Sequence, residues 1–121
     1  MSVVLQPQTK AKIYAEEDLL QMPSDARYEL IRGELCPMPD NSAEHGSWTD
    51  RLASRVSVFV QDDDLGECFA AETRFTIEKN PDTTMEPDFA FVAKDRLPEK
   101  LPRRGYLHLA PDIVLETVSP N

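Results

Sequence analysis

Residues 85–92 (MEPDFAFV) and residues 112–118 (DIVLETV) are the most informative stretches for the architecture of this chain. Both are apolar runs of strand length with proline or charged residues nearby, which is typical of buried β-strands. The second run is almost entirely apolar, so we expect a central strand that is covered on both faces. Each run carries one conspicuous acidic residue, Asp88 in the first and Glu116 in the second.

A third strand is predicted upstream of these two runs. Residues 67–78 alternate between apolar and polar side chains, and this period of two predicts one continuous strand. The side chains expected to share its apolar face are Phe69, Ala71, Thr73, Phe75 and Ile77. Residues 80–82 (Asn-Pro-Asp) predict a turn, and residues 93–105 predict a loop rich in proline and charge.

The longest helix is predicted over residues 41–60. Asn41 or Ser42 can cap its N-terminus, and Glu44 follows Asn41 at the spacing of a capping box. Apolar residues then recur at helical spacing, which predicts one buried stripe. Its members are Trp48, Leu52, Val56, Phe59 and Val60.

Two short elements are predicted before this helix. Residues 14–22 (YAEEDLLQM) indicate a short helix that Pro23 ends, and residues 27–35 (RYELIRGEL) indicate a β-hairpin. Arg32-Gly33 would form its two-residue turn.

The order of elements predicts an α/β (α+β) protein, with a sheet packed on the long helix and a short helix and hairpin in front. We expect residues 1–12 to be a flexible N-terminus and residues 13–121 to form a single domain.

The composition excludes several classes of protein. The 121 residues include 22 acidic and 13 basic side chains, for a net charge of −9, so the chain cannot bind nucleic acid by bulk electrostatic attraction. Cys36 and Cys68 are too few for a disulfide framework. The apolar run Val3–Leu5 is too short for a signal sequence or a membrane span. We therefore expect a cytoplasmic protein.

The two strand carboxylates point to a metal ion or to an ion pair. A carboxylate within an apolar strand is costly to bury unless it is paired, hydrogen-bonded or bound to a cation. Neighbouring strands would bring Asp88 and Glu116 together, and Mg²⁺ favours one or two carboxylates with water and phosphate oxygens. The alternative is that Glu116 pairs with an Arg or Lys. Spacing alone leaves both interpretations open.

Four motifs in order resemble one protein family. They are residues 28–35 (YELIRGEL), Glu44-His45, Pro87-Asp88, and residues 112–120 (DIVLETVSP). Together they are similar to the large bacterial family of restriction-endonuclease-like proteins, long catalogued as a domain of unknown function, within the PD-(D/E)XK nuclease superfamily. The resemblance runs from about Tyr14 to Asn121.

This resemblance implies a nuclease fold with an α-β-β-β core. Asp88 matches the aspartate of the first half-motif, and Glu116 matches the glutamate of the second. Similar proteins are described as nucleases that act on DNA with Mg²⁺ or Mn²⁺, so the resemblance implies that Asp88 and Glu116 hold the ion.

The sequence departs from the superfamily pattern at the motif lysine. That lysine should stand two residues after Glu116, where Val118 is found, and the family tends to move it to a helix downstream of the Ser-Pro. Because the chain stops at Asn121, we expect a truncated domain and a weak or inactive catalyst, since a cation that balances developing charge is missing.

Two further residues are implied in catalysis by the resemblance. Glu29 occupies a position where the family carries a glutamate and could point toward the metal, while the alternative is an exposed strand carboxylate. His45 occupies a family-favoured position in the first turn of the long helix, where it could contact the metal or the phosphate. The alternative is a histidine that only hydrogen-bonds to a neighbour. His108 is assigned no role.

One loop concentrates positive charge and is a candidate for contact with DNA phosphates. Its basic side chains are Lys94, Arg96, Lys100, Arg103 and Arg104. Because it joins the Asp88 strand to the Glu116 strand, we expect it to overhang the mouth of the site, while a solvated charged loop is the alternative.

Two functions from different classes follow. The first is a metal-dependent endonuclease that hydrolyses DNA. The second is a catalytically inactive interaction module that keeps the nuclease fold and forms a homodimer through an exposed sheet edge.

Overall fold

The computed structural model describes residues 12–118, so the flexible segment predicted at residues 1–12 lies outside the described residues except for Lys12. The elements, in chain order, are α1 (Glu16–Leu20), β1 (Tyr28–Ile31), β2 (Glu34–Pro37), α2 (Ala43–Asp62), β3 (Gly66–Ala70), β4 (Phe75–Glu78), β5 (Thr83–Met85), β6 (Phe89–Ala93), a 3₁₀ turn (Lys94–Arg96) and β7 (Ile113–Leu115).

The seven strands form two antiparallel sheets. The first has the order β2-β1-β5-β4 and the second has the order β3-β6-β7, while α2 packs on β3. This mixed arrangement of sheets and one long helix confirms the predicted α/β class.

The β1–β2 hairpin forms where the sequence predicts it. Ile31 pairs with Glu34, so Arg32 and Gly33 make a two-residue turn, with φ angles of 47° and 81°. Two successive left-handed residues define a type I′ turn, whose twist matches that of the flanking strands. The prediction of this hairpin and its turn is confirmed.

Two predicted strands are wrong as single strands, because each is divided between the two sheets. Residues 67–78 contain all of β3 except Gly66 and the whole of β4, and a turn in which Glu72 has φ 74° separates the two strands. Residues 85–92 likewise divide between β5 and β6, and Pro87, which has no N–H to donate to a ladder, lies in the break. The alternation of apolar residues does not reveal that the chain changes sheets.

Helix α2 begins and ends two residues later than predicted. Ser42, not Asn41, caps it, since Ser42 Oγ accepts a hydrogen bond from the backbone N–H of His45 at 3.1 Å. The predicted buried stripe is wrong. Only Val60 is buried, whereas Trp48 is 50% exposed and Phe59 is 62% exposed, because no element within residues 12–118 covers that face of the helix.

The core consists of two clusters joined by a segment that follows the basic loop. Phe75, Ala90, Val92 and Leu107 form one cluster, and Leu19, Leu30 and Tyr106 form the other. The backbone of Leu107 hydrogen-bonds to both Arg74 and Thr76 beside β4. Residues 106–107 therefore connect the clusters, although the sequence predicts no element there.

Strand β7 lies at the edge of its sheet in the described part of the chain, so the prediction of a central strand covered on both faces is wrong. It pairs with β6 alone, and Ile113 and Val114 are 54% and 41% exposed. Among the helices between residues 12 and 118, none is long and apolar enough to cross a bilayer.

Candidate active site

Asp88 and Glu116 meet at one end of the β6–β7 ladder. Phe89 pairs with Leu115, so the residue before β6 and the residue after β7 lie opposite one another. Thr117 donates its backbone N–H to Asp88 Oδ2 at 2.8 Å, which closes this end of the ladder. The two carboxylates are thus brought together on neighbouring strands, at the strand ends and not within them.

His45 holds the Asp88 carboxylate from the helix side. Its Nε2 lies 2.9 Å from Asp88 Oδ2, and the side chains of His45 and Asp88 are 5% and 12% exposed. The Ser42 cap fixes the first turn of α2, and Thr49 Oγ1 contacts Thr117 Oγ1 at 2.7 Å. Helix α2 is therefore attached to the strand ends at two points, and His45 is both a positioned and a largely buried group.

Glu29 reaches the same place from the other sheet. It lies on β1, and its Oε2 accepts the backbone N–H of Glu86 at 2.7 Å. Since Glu86 lies in the break between β5 and β6, this hydrogen bond joins the hairpin to the segment that leads into Asp88. All four residues that the resemblance singles out therefore surround one cavity.

That cavity measures about 450 Å³ and is strongly acidic. Its carboxylates belong to Glu29, Asp40, Glu86, Asp88 and Glu116. Arg27 is the one Lys or Arg side chain among the described residues that line it. This excess of negative charge favours the binding of a cation.

The crowding of carboxylates is reflected in their protonation. Partial desolvation, together with the nearby charges of Asp88 and Glu29, raises the pKa of Glu116 to about 6. Burial also raises the pKa of Glu86, against the opposing effect of Arg27. Like charges held close together disfavour ionisation, so a bound cation would stabilise the ionised form of Glu116.

The donor set at Asp88 and Glu116 fits a hard divalent cation. Both are oxygen ligands, and Mg²⁺ is commonly held by one or two carboxylates with water completing its shell. Thr117 and His45 both approach Asp88 at Oδ2, so neither of them occupies Oδ1. Between Lys12 and Val118, no three His, Cys, Asp or Glu side chains are grouped so as to hold a metal by themselves. The fit therefore rests on a two-carboxylate site.

The basic loop lies away from this cavity, contrary to the expectation that it overhangs the mouth. In an antiparallel pair, the connection between the strands leaves from the end opposite to Asp88 and Glu116. Lys94 pairs with Asp64, and Arg96 Nη1 lies 2.7 Å from Asp112 Oδ1. Lys100, Arg103 and Arg104 are exposed. No basic residue of the loop lines the cavity around Asp88.

A larger groove of about 840 Å³ runs between α2 and β3 and reaches His45 and Asp88 from another side. Its charged lining residues are all acidic, namely Asp50, Asp64, Glu67 and Asp88. A phosphate backbone would be repelled there, so this groove is an unsuitable path for DNA.

A second polar cluster surrounds Glu16, a residue that no motif in the sequence marks. Glu16 is 5% exposed, yet its Oε1 lies 2.6 Å from Lys79 Nζ and 2.8 Å from His108 Nε2. Its backbone N–H donates to Asp82 Oδ2 at 2.9 Å. These partners lie more than 60 residues along the chain, so no local pattern could have predicted the cluster.

Comparison with known proteins connects this geometry to a family. The sequence model described as "Uma2: Putative restriction endonuclease" matches residues 16–121. The fold is similar to a crystal structure described as "a putative nuclease belonging to DUF820" from Anabaena variabilis ATCC 29413, with a TM-score of 0.67 and 22% identity. That match covers 88% of this chain and 59% of that chain, so this chain spans little more than half of the solved protein's length. No curated protein matches the chain.

Proposed function

Because the chain belongs to the Uma2 family of restriction-endonuclease-like proteins, we propose that it is a divalent-metal-dependent endonuclease that hydrolyses DNA phosphodiester bonds. Asp88 and Glu116 would hold Mg²⁺ or Mn²⁺. The observation that carries this proposal is the meeting of these two carboxylates at the end of the β6–β7 ladder, within one acidic cavity shared with Glu29 and His45.

The residues of the cavity would have different roles in such a reaction. Hydrolysis joins the oxygen of water to phosphorus, breaks the bond to the leaving oxygen, and transfers a proton to that oxygen. The bound ion would supply charge stabilisation and a more acidic water. His45 and the N–H of Thr117 orient Asp88 through Oδ2, and Glu29 adds a carboxylate that could contact the ion through water.

DNA contact would come from the exposed part of the basic loop. Lys94 and Arg96 are engaged by Asp64 and Asp112, whereas Lys100, Arg103 and Arg104 form no ion pair with any described residue. Phosphate contacts of this kind position a duplex without reading its sequence. The loop would therefore bind DNA without sequence specificity.

Plasmid nicking by the full chain tests the proposal. With Mg²⁺ or Mn²⁺, we expect Asp88→Asn and Glu116→Gln to lower the rate on the order of 100-fold, as loss of an electrostatic catalytic group commonly does. Asp62→Asn, at an exposed site outside both the cavity and the basic loop, is the matched control and should nick like wild type. Equal rates for wild type and Asp88→Asn, with melting temperatures unchanged, would contradict the assignment.

The alternative, a catalytically inactive module that forms a homodimer, is favoured by two exposed apolar surfaces. The α2 face that bears Trp48, Leu52 and Phe59 is exposed, as is the edge strand β7 with Ile113 and Val114. Sedimentation that gives a stable dimer, together with calorimetry that detects no binding of Mg²⁺ or Mn²⁺, would favour this module. A monomer that binds either ion would favour the nuclease.

A further inference from the structure

One arginine faces the acidic cavity, and its position suggests a role. In the motif, a lysine is expected two residues after Glu116, but Val118 stands there. Val118 lines the cavity and is 87% exposed, and it carries no charge. A site that cleaves a phosphodiester needs positive charge beside the phosphate, because negative charge develops on its oxygens.

Arg27 is placed to supply that charge. It stands one residue before β1, two residues before Glu29, and it lines the same cavity as Asp88 and Glu116. Its side chain is 31% exposed, so a ligand in the cavity can reach it. The chain direction at the start of β1 thus brings a guanidinium and a carboxylate to the same cavity.

The guanidinium of Arg27 is only loosely occupied by protein groups. Its Nη2 lies 3.9 Å from Glu86 Oε1, well beyond the 2.7–2.9 Å that is usual for a charge-assisted hydrogen bond. Within residues 12–118 its side chain makes no hydrogen bond. The five N–H donors of an arginine form a planar fork that matches a phosphate group, so most of this fork is free to bind one.

We propose that Arg27 binds the scissile phosphate of the nucleic-acid substrate, in the cavity that it shares with Asp88 and Glu116. This role rests on the nuclease function proposed above. Asp88 and Glu116 would hold the ion on one side of the phosphate, and Arg27 would donate N–H groups to its oxygens on the other.

Inorganic phosphate is the direct probe, because its binding requires no catalysis. Chemical-shift titration of the full chain with phosphate, at fixed Mg²⁺, should give an affinity that Arg27→Met lowers by about 10-fold or more, because the charged hydrogen bonds to the phosphate are lost. Arg27→Lys should restore part of the affinity, because lysine keeps the charge but loses the fork. Arg55→Met, at an exposed site on α2, is the matched control and should bind phosphate like wild type.

Glu86→Gln separates this role from a structural one. If Arg27 serves only to pair with Glu86, then Glu86→Gln and Arg27→Met should have the same effect on the affinity for phosphate. If Arg27 binds phosphate, Glu86→Gln should bind it at least as tightly as wild type, because it removes a competing anion. Calorimetry should show that Mg²⁺ binding survives in Arg27→Met.

The outcomes distinguish this inference from the proposed function. Wild type that nicks DNA, with Arg27→Met equal to it in phosphate affinity and in nicking, would overturn the role of Arg27 and leave the nuclease standing. Wild type that binds phosphate through Arg27 but neither binds Mg²⁺ nor cleaves DNA would overturn the nuclease and leave an anion site. Wild type that binds no phosphate would overturn the inference about Arg27.

Discussion

Two largely buried carboxylates in this protein, Asp88 and Glu16, each have close polar partners. Asp88 accepts the backbone N–H of Thr117 and lies 2.9 Å from His45 Nε2, and Glu16 lies against Lys79 and His108. A buried carboxylate without such partners would be strongly destabilising. The first case fits a role in chemistry because the group faces an acidic cavity, whereas the second fixes α1 to the loops around it.

Glu16 should make stability depend on pH. Burial alone would raise its pKa, but hydrogen bonds from Lys79 and His108 outweigh this effect and lower the pKa below its ordinary 4.5. A carboxyl whose pKa is lowered by folding stabilises the folded state above the unfolded pKa, and this stabilisation is lost as pH falls through the folded pKa. At neutral pH, Glu16→Gln should therefore lower the free energy of unfolding by about 1–2 kcal/mol.

Urea denaturation at pH 7 and at a pH well below the ordinary pKa of a glutamate measures this effect. The difference between wild type and Glu16→Gln should shrink at the acidic pH, where Glu16 is neutral in both folded and unfolded chains. The neighbouring Glu17 is exposed, so Glu17→Gln should change stability little at either pH. A difference that is the same at both values would contradict the assignment.

Elements in this fold are positioned by close approaches of the backbone as much as by side chains. At the start of β3, Gly66 pairs with Ala93 of β6. A Cβ at Gly66 would overlap the carbonyl oxygen of Val92 and would lie 2.9 Å from the backbone N of Lys94. Since both neighbours are backbone atoms, relief would require the β3–β6 ladder to shift.

Alanine substitution at two glycines should therefore have opposite effects. Gly66→Ala should destabilise the protein by about 1–3 kcal/mol through overpacking. At Gly46, within α2, an added Cβ would have nothing within 4 Å, so Gly46→Ala should stabilise by about 0.5–1 kcal/mol through helix propensity. Thermal and urea unfolding of both variants tests this, and equal destabilisation by the two would show that the ladder contact at Gly66 has no special cost.

At the scale of the whole molecule, burial does not follow hydrophobicity. Phe75 is fully buried at 0% exposure, whereas Phe59 is 62% exposed. Both belong to apolar patterns that predict burial, but Phe75 lies where β4 meets Leu107 and the second sheet. The two phenylalanines thus provide a matched pair for the energetics of the core.

Phe75→Ala should lower the free energy of unfolding by about 3–5 kcal/mol, as expected for a large core side chain replaced by alanine. Phe59→Ala should change it by less than about 1 kcal/mol, because little apolar surface is buried by that residue. Denaturant unfolding at low protein concentration measures both values. A comparable loss for Phe59→Ala would mean that the α2 face is covered in solution, as in the dimer of the alternative function.

Net charge is also a property of the whole molecule, and it affects how the protein could approach DNA. The chain carries −9, and the cavity around Asp88 and Glu116 concentrates part of this charge. Bulk attraction to DNA is excluded for such a molecule. The proposed contacts through Lys100, Arg103, Arg104 and a bound cation are local exceptions.

The prediction of one domain over residues 13–121 stays a prediction.

Features that depend on neighbouring residues could be predicted from the sequence alone. Gly33, between two strand-like runs, predicts a tight turn because glycine adopts left-handed backbone at little cost. Ser42 with the following residues predicts the start of a long helix. The motif around Asp88 and Glu116 also marks the candidate site, since a carboxylate beside an apolar strand is unusual enough to stand out.

Which surfaces are covered, and which distant groups meet, depends instead on tertiary packing. Three features depend on how separate elements pack. They are the division of residues 67–78 and 85–92 between two sheets, the exposure of Trp48, and the position of Arg27 in the cavity of Asp88. A pattern of alternating or helical spacing records that one face is apolar, but it does not record what lies against that face. Long-range contacts supply that information, and they exist only once the chain has folded.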